Sequence, residues 1–215
     1  MSTAVETLLN VARNEIGYYA PSDPEVGSKY ARWYVNEISP SDTWLLGPST
    51  QIWWCCMFAS YCLDVSGTPC PGFPTYNTDL ALKSAHTVPY AQIRPGDLVI
   101  FDWNRDGATD HIGIVEKVGD YELITIEGNY NNSVARVDRT NSINYIAAVV
   151  RPNLDTANDE PFVETGIWDK PTVSALQRWL RDEDYYNGEI DGVFDAGYSI
   201  TIAAIQRYLV DADYL

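Results

Sequence analysis

Apolar positions in the first third of the chain recur at intervals of three and four residues, the period of an amphipathic helix. The pattern predicts helices over residues 3–16 and 29–36, with Gly17 placed to end the first of them. A third helix is predicted from residue 53 to a stop at Gly67. Its apolar stripe consists of Cys55, Phe58, Cys62 and Val65.

Beyond a short predicted helix over residues 77–84, the pattern changes to apolar, β-branched runs separated by turn sequences. Because helices come first and strands follow, the predicted fold class is α+β with an antiparallel sheet. The predicted strands form a meander over residues 98–101, 111–118, 122–129, 133–137 and 143–151.

The C-terminal part of the chain repeats one pattern, a turn and a threonine followed by a short amphipathic helix. The two predicted helices cover residues 172–180 and 201–209, and neither buries its apolar face alone. An acidic stretch without periodicity, residues 153–161, is the predicted linker. The predicted domains are therefore residues 1–152 and a small all-α domain over residues 162–215.

The 215 residues include 14 basic and 30 acidic side chains, which give a net charge of −16. Nucleic acids and anionic membranes are bound mainly through Lys and Arg, and this chain has a large excess of acidic residues, so neither is an expected partner. No apolar run approaches the roughly 18 residues of a membrane span, and the N-terminus lacks the regions of a secretory signal. We expect a monomer made in the cytoplasm, without membrane insertion.

The four cysteines are too few and too crowded for a disulfide scaffold or a zinc site, so reduced thiols are predicted. Cys55 stands in the first turn of its predicted helix, where free backbone N–H groups and the helix dipole favour a thiolate. Free cysteines often only fill a core, however. A catalytic role for Cys55 therefore requires a base and a group that orients the base.

His111 opens the second predicted strand directly after a polar loop, so its ring is expected at the rim of the sheet. Glu127 and Asn129 lie two positions apart on the next strand and are predicted to share one face. If the two strands pair, these residues become neighbours, and the cysteine helix is expected to pack against the same face. His86, in a loop without evident partners, is predicted to be structural.

The loop between the first two strands carries oxygen-bearing side chains at the first positions of a calcium-binding loop. The twelfth position is Gly113 instead of Glu, so a solvated acidic turn that positions His111 is the alternative. No cofactor is required by the predicted chemistry, and calcium is the candidate metal. Its candidate ligands are Asp102, Asn104, Asp106 and Asp110.

Four sequence blocks, in this order and at this spacing, resemble the CHAP family of cysteine, histidine-dependent amidohydrolases and peptidases. The blocks are Trp54-Cys-Cys-Met-Phe58, Arg94-Pro-Gly-Asp-Leu-Val-Ile-Phe101, Asp110-His-Ile-Gly-Ile-Val-Glu116 and Ile126-Glu-Gly-Asn129.

The resemblance implies a papain-like fold and cleavage of bacterial peptidoglycan. It implies that Cys55 is the nucleophile, His111 the base, and Glu127 and Asn129 assisting residues. Cys56 takes a position that is often small in the family, which makes it the alternative nucleophile.

The C-terminal region is similar to small helical peptidoglycan-binding domains, through Asp191-Gly-Val-Phe-Asp195 and the repeated Thr-x-x-Ala-Leu/Ile-Gln pattern. Together the resemblances predict a phage endolysin that acts on the wall after release, as an N-acetylmuramoyl-L-alanine amidase or a stem or cross-bridge endopeptidase. A non-catalytic wall-binding or virion protein with an inert papain-like domain is the alternative. A papain-like deamidase or transferase acting on proteins is less compatible with the C-terminal region.

Overall fold

The computed structural model describes residues 3–119, 121–154, 170–182, 185–186, 193–194 and 199–211. By its contacts the chain divides into two compact units, of which the first is Thr3–Leu154. The predicted linker over residues 153–161 lies outside the described residues apart from its first two.

The described helices lie at the two ends of the chain, and the strands lie between them. No described helix combines the length and apolar character that a membrane crossing requires. The helices are α1 (Thr3–Asn14), α2 (Lys29–Trp33), α3 (Cys55–Val65), α4 (Thr78–Leu82), α5 (Lys170–Asp182) and α6 (Ile200–Asp211).

The described residues include six strands, which form one sheet in which every pairing is antiparallel. Their spatial order is β1-β6-β2-β3-β4-β5. The predicted α+β class is therefore confirmed. The strands are β1 (Thr87–Val88), β2 (Leu98–Phe101), β3 (His111–Gly119), β4 (Glu122–Tyr130), β5 (Ser133–Asp138) and β6 (Ile146–Val150).

Helix boundaries follow from capping and from burial. α1 ends at Asn14, two residues before the predicted end, and a turn leads to Gly17, whose φ of 98° suits glycine. Ile16, which the prediction placed in the helix, is 36% exposed. The Asn77 side chain accepts a hydrogen bond from the Leu80 N–H and so caps α4.

The sheet has an apolar layer on each face, which is why β2 is buried along its whole length. On one face, Ile112, Ile114 and Ile126 pack into the cluster that includes the apolar side chains of α1 and α3. On the other face, Phe101, Val115 and Leu123 form a second cluster with Val99 and Val149.

The predicted meander is wrong at its last strand. Residues 140–145 form a 3₁₀ turn, and β6 then pairs with β2 and β1 instead of β5. A buried ion pair holds β6 in this place, because Arg151 just beyond β6 donates to both carboxylate oxygens of the fully buried Asp97, at 2.9 and 2.8 Å. The carboxylate also accepts the backbone N–H of Arg94, which closes the Arg94–Asp97 turn.

In the second unit, α5 and α6 extend the two predicted helices by a few residues each. Leu180, Tyr186 and Ala204 form its small described core. Gln177 is buried and donates to the Thr201 hydroxyl at 3.0 Å, so a residue of each repeated motif contributes to the packing. The turn sequences that precede the helices lie largely outside the described residues.

We predict that Arg151→Leu lowers the free energy of unfolding by about 3–5 kcal/mol, because it leaves the buried Asp97 carboxylate unpaired. Chemical denaturation of the full chain measures this. The matched control is Arg136→Leu, whose half-exposed pair with Glu116 is expected to contribute about 0–1 kcal/mol. Equal losses in the two variants would contradict a special role for the Asp97 pair.

Candidate active site

Cys55 is the first residue of α3, directly after the fully buried Trp54. Its side chain is 5% exposed, yet it lines an open groove of about 490 Å³. The groove is bordered by aromatic rings and two carboxylates, among them Trp44, Trp53, Tyr76, Asp79 and Asp110. A thiol at this helix end faces N–H groups that lack intrahelical acceptors.

Cys56, the alternative nucleophile, is placed differently. Burial raises the pKa of its thiol well above the ordinary value, and the neighbouring Cys55 and Cys70 raise it further. Because consecutive helical residues point about 100° apart, the ring that meets Cys55 does not meet Cys56. The geometry therefore favours Cys55 as the reactive thiol.

His111 begins β3 at the rim of the sheet and contacts both Cys55 and Glu127. Its Nε2 lies 2.8 Å from Glu127 Oε2. Because an ionised carboxylate only accepts, Nε2 carries the hydrogen, which leaves Nδ1 to exchange a proton with the thiol. Burial alone would lower the pKa of His111, but the hydrogen bonds to Cys55 and Glu127 raise it to about 10.

Glu127 is fully buried, and hydrogen-bond donors surround its carboxylate. Besides His111, the Thr125 hydroxyl donates to Oε1 at 2.5 Å, and Arg139 donates to Oε1 at 2.7 Å and Oε2 at 2.6 Å. Burial by itself would raise the pKa of Glu127. The hydrogen bonds from Arg139 and His111 outweigh it and lower the pKa to about 2.

Asn129 does not follow the predicted alternation. The register of β4 shifts between Glu127 and Tyr130, and Asn129 has the left-handed φ of 58°. Within the described part of the chain its side chain makes no hydrogen bond. The structure thus brings Cys55, His111 and Glu127 into one hydrogen-bonded chain that does not include the Asn129 amide.

The expected packing of the cysteine helix is also corrected. His111 and Glu127 alternate with Ile112 and Ile126, so they lie on the sheet face opposite the cluster that includes α3. The apolar side chains of α3 pack on the face formed by Ile112 and Ile126, because that face is apolar at these positions. Cys55 therefore meets His111 at the rim, where β3 begins, and not across the face of the sheet.

Two glycines explain the close fit of these elements. A Cβ on Gly113 would lie 2.9 Å from Glu127 Cγ, so this glycine leaves the space that the carboxylate occupies. A Cβ on Gly128 would lie 2.6 Å from Phe58 Cγ, which shows how closely α3 approaches β4. The His-Ile-Gly and Glu-Gly-Asn blocks therefore combine reactive side chains with packing requirements.

The acidic loop uses its oxygens internally. Asp102 accepts from the N–H groups of Arg105 and Gly107, Asp106 from Ala108 and Asp110 from Trp103, while Asn104 pairs with Asp106. Among the described residues, which include this whole loop, no three Asp, Glu, His or Cys side chains converge as a metal site would require. Calcium binding by Asp102, Asn104, Asp106 and Asp110 therefore stays a prediction.

His86 is exposed and its carbonyl accepts the Arg151 N–H at 2.8 Å, which is a backbone role. Arg139 and Thr125 were missed as site residues. The available signal was Glu127 itself, because a carboxylate within a buried strand needs cationic partners.

Comparison with known proteins gives one family match. Residues 47–129 match the family model of the CHAP domain, which takes in α3, β2, β3 and nearly all of β4. This family consists of cysteine-dependent hydrolases. Together with helices packed on an antiparallel sheet, the match confirms the predicted papain-like fold class. A search of curated protein sequences finds no match to the chain.

Similar solved structures include NlpC/P60 family proteins. One from Bacillus cereus is 16% identical with a TM-score of 0.44, covering 70% of this chain and 41% of its own. A lipoprotein-like member from Staphylococcus aureus is 11% identical with a TM-score of 0.43, covering 69% and 41%. NlpC1 from Trichomonas vaginalis is 14% identical with a TM-score of 0.42, covering 70% and 44%. The chain thus spans less than half of these proteins.

We predict that a thiol-alkylating reagent modifies native protein at Cys55 alone. All four thiols are buried, but only Cys55 contacts His111 among the described residues, whereas burial raises the pKa of Cys56, Cys62 and Cys70. Peptide mass spectrometry after brief labelling with iodoacetamide locates the modified residue. Labelling of Cys56 before Cys55 would reverse the assignment, and Cys55→Ser provides the blank.

We also predict that the Glu127 carboxylate stabilises the fold in a pH-dependent way. Its folded pKa of about 2 lies below the unfolded value of about 4.3, so the stabilisation is complete above that value. The advantage of wild type over Glu127→Gln should shrink by roughly 2.5 kcal/mol as pH falls from about 4.5 to about 2. Unfolding curves measured in parallel give this difference, and a constant difference across the range would contradict it.

Proposed function

We propose that this protein is a cysteine-dependent hydrolase that cleaves amide bonds in bacterial peptidoglycan. The observation that carries the proposal is the hydrogen-bonded chain from Cys55 through His111 to Glu127. It has the order of nucleophile, base and orienting carboxylate that covalent hydrolysis requires. The CHAP match over residues 47–129 supports peptidoglycan as the substrate class.

The reaction would begin with Cys55 as the thiolate and His111 as the imidazolium. Sγ attacks the amide carbonyl carbon, and the Cys55 backbone N–H, free at the helix start, donates to the developing oxyanion. His111 then gives its Nδ1 proton to the leaving amine, the C–N bond breaks and a thioester remains. Water, deprotonated by His111, attacks the thioester and releases the carboxylic acid and the thiol.

Glu127 keeps its charge throughout, because it is held by Arg139 and His111 together. It fixes the imidazole with Nε2 toward the carboxylate and Nδ1 toward the thiol. The Asn129 amide, which makes no hydrogen bond within the described part of the chain and belongs to a residue with left-handed φ, is available to polarise the substrate or support the ring.

The groove beside Cys55 supports a peptide substrate. Trp53 is 79% exposed and Trp44 is 55% exposed, so both offer ring surface to an extended chain. Asp79 and Asp110 carry the charge of the described lining and disfavour a carboxylate in this part of the groove. Amide and amine groups of a stem or bridge are more compatible with it.

The narrower assignments belong to the same proposal. We infer a phage endolysin in which α5 and α6 belong to a wall-binding domain, and the cut bond is either the lactyl–L-alanine amide or a peptide bond of the stem or bridge. The wall-binding role is supported by the resemblance of the repeated Thr-x-x-Ala-Leu/Ile-Gln motif to peptidoglycan-binding domains, and the buried Gln177–Thr201 hydrogen bond shows that the motif takes part in packing.

We predict that wild-type protein clears suspensions of Gram-positive cell walls, whereas Cys55→Ala loses activity by on the order of 10⁴-fold. Cys56→Ala is the matched control, because it removes a neighbouring thiol that does not meet His111. Turbidity gives the rates, and mass spectrometry of the released fragments identifies the bond. Free L-alanine amino termini indicate an amidase, while cut stems or bridges indicate an endopeptidase.

Two outcomes would overturn the proposal. Full activity of Cys55→Ala together with an inactive Cys56→Ala would move the nucleophile to Cys56. Binding of walls without lysis by the wild type, on every wall type tested, would favour the non-catalytic binding or virion protein.

A further inference from the structure

Arg139 pairs with the buried carboxylate of Glu127 but is not itself one of the three residues in the hydrogen-bonded series Cys55–His111–Glu127. It follows β5 and donates from Nε and Nη2 to the two oxygens of Glu127, at 2.7 and 2.6 Å. Such a forked pair fixes the plane of the carboxylate as well as its charge. The Arg139 backbone is anchored too, because its N–H donates to the Leu123 carbonyl at 2.7 Å.

Three aromatic rings surround the Arg139 guanidinium. Its Cζ lies 4.9 Å from the ring centre of Trp103, 5.3 Å from Phe101 and 5.4 Å from Tyr130. Trp103 itself stacks on Phe101 at 4.6 Å with an interplanar angle of 10°. Cation–π attraction to these rings holds the guanidinium in place with little exposure to water.

The acidic loop after β2 accounts for the position of Trp103. The Asp110 carboxylate accepts the Trp103 N–H at 2.7 Å, and Asp102 accepts two N–H groups from within the loop. Trp103 is thereby fixed between the loop and Arg139. Carboxylate oxygens of the predicted calcium motif thus accept hydrogen bonds from within this loop.

We propose that Arg139, held by Trp103, is a positioning residue that fixes the Glu127 carboxylate and through it the orientation of His111 toward Cys55. Among the described residues, Arg139 makes no hydrogen bond with the thiol or the imidazole, although it shares Glu127 Oε2 with His111. Its effect passes through both oxygens of Glu127. The proposal deepens the proposed hydrolase function and shares its reacting residues.

The charges around Glu127 support this role. His111 from β3 and Arg139 beyond β5 are the charged groups that contact the carboxylate, Thr125 from β4 adds a hydroxyl, and Cys55 from α3 reaches it only through His111. Without Arg139 the carboxylate would keep a single cationic partner. Its pKa would rise, and the imidazolium would lose its ionised acceptor at a higher pH than in the wild type.

We predict that Arg139→Met lowers kcat for wall cleavage by about 10²-fold while the half-saturating wall concentration changes less than about twofold. The acid limb of the pH–rate profile for Cys55 alkylation should move toward neutral pH in the same variant. Arg139→Lys should restore the acid limb, since it keeps the charge, but not the full kcat, since it lacks the fork. The measurements are turbidity rates over wall concentration and labelling rates by mass spectrometry.

Controls separate this role from a structural one. Arg136→Met removes the neighbouring arginine on β5, which pairs with Glu116, and is expected to leave both readouts unchanged. Trp103→Leu should move both readouts in the same direction as Arg139→Met, by a smaller amount. If Arg139→Met does not fold, Trp103→Leu and Arg139→Lys still test the proposal.

Three results would overturn the proposal. The first is a folded Arg139→Met whose pH profile of Cys55 alkylation equals that of wild type, and the second is an Arg139→Met in which the half-saturating wall concentration changes but kcat does not. The third is an Arg139→Lys in which the acid limb of the alkylation profile is shifted as far as in Arg139→Met. The alkylation profile needs no wall substrate. A wild type that lyses no wall would therefore reject the proposed function, while the role of Arg139 would still be decided by the reactivity of Cys55.

Discussion

The burial of one carboxylate, Glu127, is the constraint on which the site depends. A carboxylate removed from water within a sheet is costly unless cations and donors replace its hydration. Here His111 approaches from β3 and Arg139 from beyond β5, so three strands must keep their register for the charge to be tolerated. The same requirement that stabilises the sheet fixes the imidazole. Stability and reactivity at this site therefore have one physical origin, and a change that loosens the carboxylate affects both.

Close backbone approach is the second requirement, and it explains why reactive residues and glycines alternate in the two central strands. Gly113 leaves room for the Glu127 side chain, and Gly128 lets Phe58 of α3 come close to β4. The first brings the acid within reach of the base, while the second sets the depth at which the N-terminal end of α3 lies. A thiol at the start of that helix then reaches the rim of the sheet without pointing into its core.

Much of this arrangement follows from local sequence signals. Helical spacing located α3 and its leading thiol, and β2 has the predicted bounds because an apolar run between turn residues is unambiguous. What sequence reasoning missed depends on tertiary register. Asn129 was assigned to the Glu127 face because alternation was assumed, but a bulge with φ of 58° interrupts it. β6 was assigned to a meander, although its place beside β2 depends on Arg151 and Asp97, which are 54 residues apart. Arg139 was missed for the same reason, since its link to Glu127 depends on pairing and side-chain length.

The distribution of the few cations explains how so acidic a chain folds and what it leaves for recognition. Among the described residues, arginines pair with several carboxylates that have little exposure, as in Arg32 with Asp23, Arg13 with Glu116, Arg139 with Glu127 and Arg151 with Asp97. These arginines are paired with carboxylates inside the first unit, while the chain as a whole has a net charge of −16. Long-range attraction to an anionic wall polymer is therefore unfavourable. Under the proposed function, affinity for such a wall would come from short-range contacts, for which the exposed Trp44 and Trp53 beside Cys55 provide apolar surface and the groove carboxylates provide hydrogen-bond acceptors.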